Sequence, residues 1–141
     1  MKKNILNTIK VKFLKVIMLP AGNNIHIIRK NEMKKWSLEE AYFSKIKFGK
    51  IKAWKFHKKM TLNLTVPYGN VKFVFYCNKN KKFRTINVGK NKYTRITVPP
   101  KIWFGFKGLS KPESVILNLA NFRYNKKEIV RKKINQIKYN W

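Results

Sequence analysis

The middle of the chain alternates apolar and polar residues with a period of two. Within Thr61–Val66, the leucines and the valine fall on one face, and Asn63 and the threonines fall on the other. This is the pattern of a strand with one apolar and one polar face. Pro67-Tyr68-Gly69-Asn70 then supplies turn residues, and an apolar run follows at Val71–Cys77. The pattern predicts two strands joined by a turn.

Three further segments are predicted to be strands: Phe83–Val88, Tyr93–Val98 and Ser114–Phe122. Residues 89–92 and 107–112 between them are rich in Gly, Lys, Asn and Pro, and we expect them to form loops. Several short strands at nearly regular spacing are typical of a sandwich or barrel. We therefore predict an all-β fold of the jelly-roll kind.

Helix is expected in only two short pieces. Ser37-Leu38-Glu39-Glu40 has the spacing of a capping box. A second helix is expected to begin at Asn125, with Glu128 in its first turn and a rough apolar stripe at Ile129, Val130, Ile134 and Ile137. No internal repeat or linker interrupts the chain, so we expect one domain over residues 1–141.

Composition adds a strongly basic charge to this picture. The net charge is +29, yet only 5 of the 34 basic residues are arginine. Specific reading of bases favours arginine, because its planar guanidinium supplies paired donors. The charge therefore indicates an anionic partner, such as a sugar diphosphate, and not a specific nucleic acid. A genome rich in A and T would also fill solvated positions with lysine, and this alternative stays open.

The remaining composition bears on the cellular compartment. Cys77 is the only cysteine, so an intrachain disulfide and a thiolate metal cluster are both excluded. Lys10, Lys12 and Lys15 interrupt the apolar stretch that a signal peptide needs, and no stretch is long enough to span a bilayer. We expect a cytoplasmic protein without membrane insertion.

The candidate chemistry centres on His57. This histidine ends the run Lys52–His57 and is expected to face an aromatic loop with two prolines, Val98–Phe106. An imidazole in that setting indicates a small-molecule pocket in a β-barrel, although a packed histidine gives the same pattern. The chain contains no aspartate, and Glu39 and Glu40 are the nearest carboxylates before the histidine strand. His26 is the only other histidine, so we expect no metal site and no cofactor.

Several of these segments together resemble the dTDP-4-dehydrorhamnose 3,5-epimerase family. More narrowly, they are similar to its short, divergent branch from surface-polysaccharide gene clusters. The similarity extends over about Glu40–Trp141 and is carried, in order, by Glu40–Ser44, Lys52–Leu64, Pro67-Tyr68-Gly69, Val98–Phe106 and Ile137–Trp141. The resemblance implies a cupin-type jelly roll that is usually a homodimer, needs no metal and acts on a nucleotide-linked 4-keto-6-deoxy sugar.

The resemblance also assigns residues and shows departures. His57 falls where the family places its general base. The family's Arg-Gly-Leu-His reads Trp54-Lys55-Phe56-His57, and its His-Gly-Phe reads Phe104-Gly105-Phe106. The family's lysine falls near Leu62 and its acidic tyrosine near Leu117 or Asn118, and its aspartate has no counterpart here.

These considerations give a set of expected site residues. Epimerisation next to a ketone needs a base and a group that stabilises the enolate. We expect His57 as the base, Glu40 as the carboxylate that orients it, and Tyr68 as a stabiliser of the enolate, with Lys59 and Tyr93 as alternatives. The expected nucleotide-sugar contacts are Lys52, Lys55, Lys59, Asn63, Trp103 and Phe104.

The function expected from these residues is epimerisation of a dTDP-linked 4-keto-6-deoxy sugar in surface-polysaccharide biosynthesis. Two alternatives on the same scaffold are a nucleotide-sugar binding protein without turnover and a 3,4-ketoisomerase. The ketoisomerase branch normally carries Arg-x-His-x-His, which this chain lacks.

Overall fold

The computed structural model describes residues 4–33 and 36–141. The described chain is built almost entirely from strands, with three 3-10 turns at Ile5–Thr8, Lys30–Glu32 and Ile134–Gln136. The strands are β1 (Lys10–Phe13), β2 (Lys15–Ile17), β3 (Asn24–His26), β4 (Glu40–Lys47), β5 (Ile51–His57), β6 (Leu62–Tyr68), β7 (Asn70–Cys77), β8 (Lys82–Gly89), β9 (Thr94–Val98), β10 (Trp103–Gly108), β11 (Glu113–Ala120) and β12 (Ile129–Arg131).

Two five-stranded antiparallel sheets pack face to face. The first sheet has the order β1-β9-β6-β11-β4, and the second has the order β12-β5-β10-β7-β8. A small β2-β3 hairpin stands apart from them. This arrangement is the all-β jelly roll that the strand spacing predicts. Because β4 ends one sheet and β12 ends the other, these two strands flank one open side of the sandwich.

The apolar faces of the strands meet between the sheets. Leu62, Leu64 and Val66 of β6 pack there against Phe73 and Phe75 of β7, and all five are at most 1% exposed. Burial of such side chains contributes about 1.5–3 kcal/mol each relative to exposure. The period-two pattern of the sequence therefore gives the correct inward face for β6.

A second apolar cluster covers the outer face of the second sheet, and we call it the aromatic face. Its strand residues alternate with those of the inner core, and residues after β12 pack on top of them. The members are Trp54, Phe56, Val74, Tyr76, Trp103, Ile137, Tyr139 and Trp141, with Ala53 at the edge. Gly105 permits this packing, because a Cβ there would lie 2.5 Å from Ala53 Cβ and 2.9 Å from the Trp141 ring.

Both predicted helices are wrong. Glu40 begins strand β4, and the segment after Asn125 forms a turn that leads into β12. Edge pairing explains both results: β4 pairs with β11 over eight residues, and β12 pairs with β5. The expected aromatic loop is also partly a strand, because Trp103–Gly108 forms β10 between β5 and β7.

The segment before β4 lies against the outer face of the first sheet. Arg95 of β9 is 8% exposed and donates to the carbonyl of Ile27 at 2.7 Å and to Glu32 Oε1 at 3.3 Å. Lys12 also donates to Glu32. These contacts, together with the Arg29 backbone N–H, lower the pKa of Glu32 to about 2. Across residues 4–33 and 36–141, no helix has the length and apolarity needed to cross a membrane.

Candidate functional site

The centre of the site is a buried pair formed by His57 and Glu128. His57 is the last residue of β5 and is 4% exposed, and Glu128 immediately precedes β12 and is 9% exposed. Pairing of Ile129 with His57 brings the two side chains together, and Nδ1 of the imidazole lies 2.8 Å from Oε2 of the carboxylate. The carboxylate that orients His57 is therefore Glu128.

The Glu128 carboxylate is held on both oxygens. Its Oε1 accepts the backbone N–H groups of Lys59 and Met60 at 2.7 and 2.8 Å. Burial alone would raise the pKa of Glu128, but the hydrogen bonds from His57, Lys59 and Met60 together hold its pKa below the ordinary value. The carboxylate is thus ionised at neutral pH and fixed in orientation.

The imidazole is held in its neutral form. Burial lowers the pKa of His57, Glu128 opposes this shift, and the charges of Lys55 and Arg131 add to the lowering. An ionised carboxylate can only accept, so Nδ1 carries the proton and Nε2 has the free lone pair. Nε2 is buried and has no hydrogen-bond partner among the described residues. A neutral imidazole with a free Nε2 and a carboxylate on Nδ1 is arranged as a general base.

A cavity of about 440 Å³ opens beside this pair, between the two sheets. Its lining comes from β4, β5, β10, β11 and β12 and comprises Ser44, Lys52, Ala53, Trp54, Lys55, Phe104, Phe106, Asn118, Arg131 and Lys132. Phe104 also stacks on the imidazole, with ring centroids 6.0 Å apart and planes at 25°. His57 itself does not reach the cavity surface. A substrate would therefore reach Nε2 only after a side-chain displacement, and Phe104 is the ring that contacts both.

Four cationic side chains line the same cavity: Lys52, Lys55, Arg131 and Lys132. Arg131 on β12 lies directly opposite Lys55 on β5. Burial lowers the pKa of Lys55, and the nearby charges of Arg131 and Lys52 lower it further. In the part of the chain that the structure describes, none of the four forms an ion pair with a carboxylate. Like charges gathered without a counter-ion make this wall suited to an anionic ligand.

The opposite wall is polar and uncharged. The Asn118 amide of β11 donates to Ser44 Oγ at 3.0 Å and to the Tyr42 carbonyl at 3.3 Å. Tyr42 pairs with Asn118 across β4 and β11, and its phenol, whose pKa is raised by burial and by Glu40, does not line the cavity. The Ser44 hydroxyl and the Asn118 amide, which line the cavity, can bind hydroxyl groups of a sugar.

Three of the expected binding residues line this cavity, namely Lys52, Lys55 and Phe104. Trp103 does not, because it points to the aromatic face, packs on Phe56 at 5.1 Å between ring centroids, and borders a separate cavity of about 640 Å³. Lys59 is exposed and contributes its backbone N–H to Glu128, so its expected contact with a diphosphate is wrong for this cavity.

Three other expectations are also corrected. Asn63 lies on the outer face of β6, where it accepts a hydrogen bond from Thr97 Oγ1 at 2.6 Å, because the leucines beside it take the inner face. Tyr68 is 56% exposed at the turn after β6 and does not line the cavity. Glu40 accepts the Tyr124 backbone N–H at 2.7 Å and makes no contact with His57.

Two residues of the site were not found from the sequence. Glu128 was assigned to the first turn of a helix, and Arg131 had no assignment. They are separated from His57 by more than seventy positions in the chain, so spacing carries no signal. The scarcity of acidic residues is a useful signal, since only five carboxylate side chains exist in the chain.

Comparison with known proteins gives a fold and no sequence family. No family model matches the chain, and no curated protein matches it. Among the 158 solved chains that match is a dTDP sugar isomerase from Desulfovibrio desulfuricans, with a TM-score of 0.86 and 23% identity over 94% of this chain and 90% of that chain.

Two further solved structures share the fold. A sugar 3,4-ketoisomerase from Thermoanaerobacterium thermosaccharolyticum in complex with TDP has a TM-score of 0.78 and 18% identity over 94% of this chain and 93% of that chain. A dTDP-4-dehydrorhamnose 3,5-epimerase from Sulfolobus tokodaii has a TM-score of 0.83 and 15% identity over 97% of this chain and 84% of that chain. The fold that the motif resemblance implies is therefore confirmed.

Proposed function

We propose that the protein is a nucleotide-sugar isomerase that removes a proton next to the ketone of a dTDP-linked 4-keto-6-deoxy sugar, after which a solvent-derived proton adds on the other face. The observation that carries the proposal is the buried His57–Glu128 pair with a free Nε2. The pair is costly to bury, and an oriented neutral imidazole is the group that such chemistry needs.

The proposed reaction is balanced without a redox partner. Nε2 of His57 takes the proton of the C–H bond next to the ketone, and the electron pair of that bond forms an enolate. A proton from solvent adds to the same carbon from the opposite face to give the epimer, and the His57 imidazolium releases its proton to solvent. The Glu128 carboxylate stabilises the imidazolium that forms on proton transfer, since it lies 2.8 Å from Nδ1.

The substrate class is supported by the charges of the cavity. The wall with Lys52, Lys55, Arg131 and Lys132 offers cations to a diphosphate, and the wall with Ser44 and Asn118 offers polar groups to a sugar. The chain also shares its fold with a ketoisomerase solved with TDP and with a 3,5-epimerase from Legionella pneumophila solved with dTDP-4-keto-L-rhamnose. We further propose a cytoplasmic homodimer that serves surface-polysaccharide biosynthesis, as the motif resemblance implies.

The test is solvent exchange. Incubation of the protein with the dTDP-linked 4-keto sugar in deuterated water should incorporate deuterium at C3 or C5, and His57→Asn should abolish incorporation. Unchanged incorporation in His57→Asn would reject the assignment of the base. A 3-keto product would identify a 3,4-ketoisomerase, and tight dTDP binding without any exchange would identify a binding protein.

A further inference from the structure

A group that stabilises the enolate is missing from the residues assigned so far. Charge develops on the ketone oxygen as the proton leaves, and a positive or hydrogen-bonding group must face that oxygen. The sequence candidates do not qualify. Lys59 and Tyr68 are exposed outside the cavity, and Tyr93, which precedes β9, does not line it.

Lys55 has the required position. It precedes His57 by two residues on β5, so both side chains lie on the same face of the strand, at Cα positions roughly 6.6 Å apart. Lys55 lines the cavity, and its register opposite Phe104 and Arg131 gives it the inward direction. A ligand in this cavity therefore meets the ammonium of Lys55 directly, and the imidazole lies on the same face of β5 behind Phe104.

Lys55 is also free to act on a ligand. Its neighbour Lys52 donates to the Lys45 carbonyl at 2.7 Å, and the Lys132 ammonium lies 4.7 Å from the centre of the Trp103 ring. The Lys55 ammonium, in contrast, forms no hydrogen bond and no ion pair with the residues of 4–33 and 36–141. A half-buried cation without a partner is costly, and a ligand oxygen would satisfy it.

The two opposed cations differ in chemistry. Arg131 keeps its charge at any pH and presents a planar fork that suits phosphate oxygens. Lys55 presents a compact ammonium whose pKa is lowered by burial and by Arg131 and Lys52. A donor with a lowered pKa is better matched to an enolate oxygen than a guanidinium, because it shares its proton more readily.

We propose that Lys55 is a catalytic residue that donates a hydrogen bond to the ketone oxygen and stabilises the enolate, while Arg131 binds the diphosphate. The C–H bond breaks, its proton goes to Nε2 of His57, and its electron pair forms the new C=C bond. The carbonyl π pair moves to the oxygen, and this oxygen accepts a hydrogen bond from the Lys55 ammonium. The inference rests on the proposed function. The proposed role also gives a purpose to one departure from the similar family, since Lys55 stands where the Arg-Gly-Leu-His motif has glycine.

The test compares Lys55→Met and Lys55→Arg with a matched control, Lys72→Met. Lys72 is another half-buried lysine of the same sheet, but its ammonium lies over Tyr139 on the aromatic face. We expect Lys55→Met to lower kcat for deuterium incorporation by about 10²–10³-fold, with KM changed by less than about 3-fold. Lys55→Arg should retain activity within about 10-fold, since it keeps a cationic donor. Lys72→Met should match the wild type.

A pH profile adds a readout that a structural role would not move. Incorporation by the wild type should fall on the alkaline side at a pH below 10.5, as the Lys55 ammonium loses its proton. Lys55→Arg should lack this alkaline limb, because arginine does not titrate in that range. An alkaline limb that persists unchanged in Lys55→Arg would overturn the proposal.

The outcomes separate this inference from the proposed function. Absence of incorporation by the wild type would reject the proposed function itself. Incorporation by the wild type together with a Lys55→Met rate within about 3-fold of it would reject only the role of Lys55. Loss of dTDP affinity in Lys55→Met, with a normal rate at saturating substrate, would assign Lys55 to the diphosphate and also overturn it. If cyanoborohydride traps the sugar covalently on Lys55, the lysine forms an imine with the ketone. This outcome would also overturn the proposed hydrogen-bonding role.

Discussion

Strand β5 presents two contrasting surfaces to the rest of the molecule. On the outer side, Trp54 and Phe56 enter the aromatic face, where Trp54 lies 5.1 Å from the Trp141 ring and its indole N–H donates to the Ile134 carbonyl at 3.2 Å. On the inner side, neither the Lys55 ammonium nor Nε2 of His57 has a hydrogen-bond partner among residues 4–33 and 36–141, and Lys55 lines the cavity. The outer side is a packed cluster of rings, and the inner side combines a buried imidazole with a cation that lines a cavity.

The two sides of the seven-residue strand β5 thus serve different ends: the outer side contributes to stability and the inner side to function. Packed aromatic rings contribute burial and favourable edge or tilted contacts. Unpaired polar groups and adjacent like charges lower stability, and proteins retain them mainly where a ligand completes the arrangement. The inner side of β5 is therefore the side on which we expect substitutions to change activity more than folding.

The largest effect is expected from Glu128→Gln. A glutamine can still accept the Lys59 and Met60 N–H groups, but its amide would donate to Nδ1 of His57 and so place the imidazole proton on Nε2. The base would then be in the wrong tautomer, and we expect deuterium incorporation to fall by about 10³–10⁴-fold. The exchange assay measures the loss, and Glu40→Gln is the matched control because Glu40 only accepts the Tyr124 N–H. Equal losses in the two variants would contradict the assignment.

Trp54→Ala is expected to lower the free energy of unfolding. The change is somewhat smaller than the rise in activation free energy expected for Glu128→Gln. Trp54 is 1% exposed, so its removal leaves a cavity among Phe83, Tyr139 and Trp141. We expect the free energy of unfolding to fall by about 3–5 kcal/mol. Denaturant titration measures it. A loss below about 1 kcal/mol would show that the aromatic face does not support the fold.

The smallest effect is expected on the free energy of unfolding of Lys55→Met. Replacement of a half-buried ammonium beside Arg131 and Lys52 by an apolar side chain of similar length removes a like-charge contact. We expect the free energy of unfolding to rise by about 0.5–1 kcal/mol. Lys72→Met should not stabilise the protein, because it loses the cation–π contact with Tyr139. Thermal unfolding of both variants checks the contrast, and stabilisation by Lys72→Met alone would reverse it.

Much of the fold could be predicted from local pattern. The patterns in Thr61–Val66, Val71–Cys77 and Tyr93–Val98 predict strands that β6, β7 and β9 confirm, although β6 extends through Pro67 and Tyr68 of the predicted turn. The pattern failed at β4 and β12, where helix capping residues and a loose apolar stripe coincide with edge strands. Pairing with β11 and β5 decides the conformation there, and local propensity carries no information about a distant partner.

The site could be predicted only in part for the same reason. His57, Lys55 and Phe104 were found because motif and strand position mark them. Glu128 and Arg131 reach the cavity only through the pairing of β12 with β5. Asn63 of β6 was expected to contact the ligand because a sugar needs polar groups, yet the apolar face of this strand is the one that points between the sheets. In this sandwich both faces of β6 are covered, and Asn63 is 5% exposed on the outer one.

The three-residue edge strand β12 connects the catalytic pair to the second sheet. Glu128 leads directly into β12, which pairs with β5 at three positions. Backbone hydrogen bonds between Lys58 and Glu128 and between Trp54 and Lys132 extend this pairing on both sides. Loss of this edge pairing would withdraw the carboxylate from the imidazole and move Arg131 away from Lys55, while the other nine strands of the two sheets keep their partners. Without this pairing, His57 would lose the carboxylate that fixes its tautomer and the orientation of its ring, although β5 itself would be unchanged.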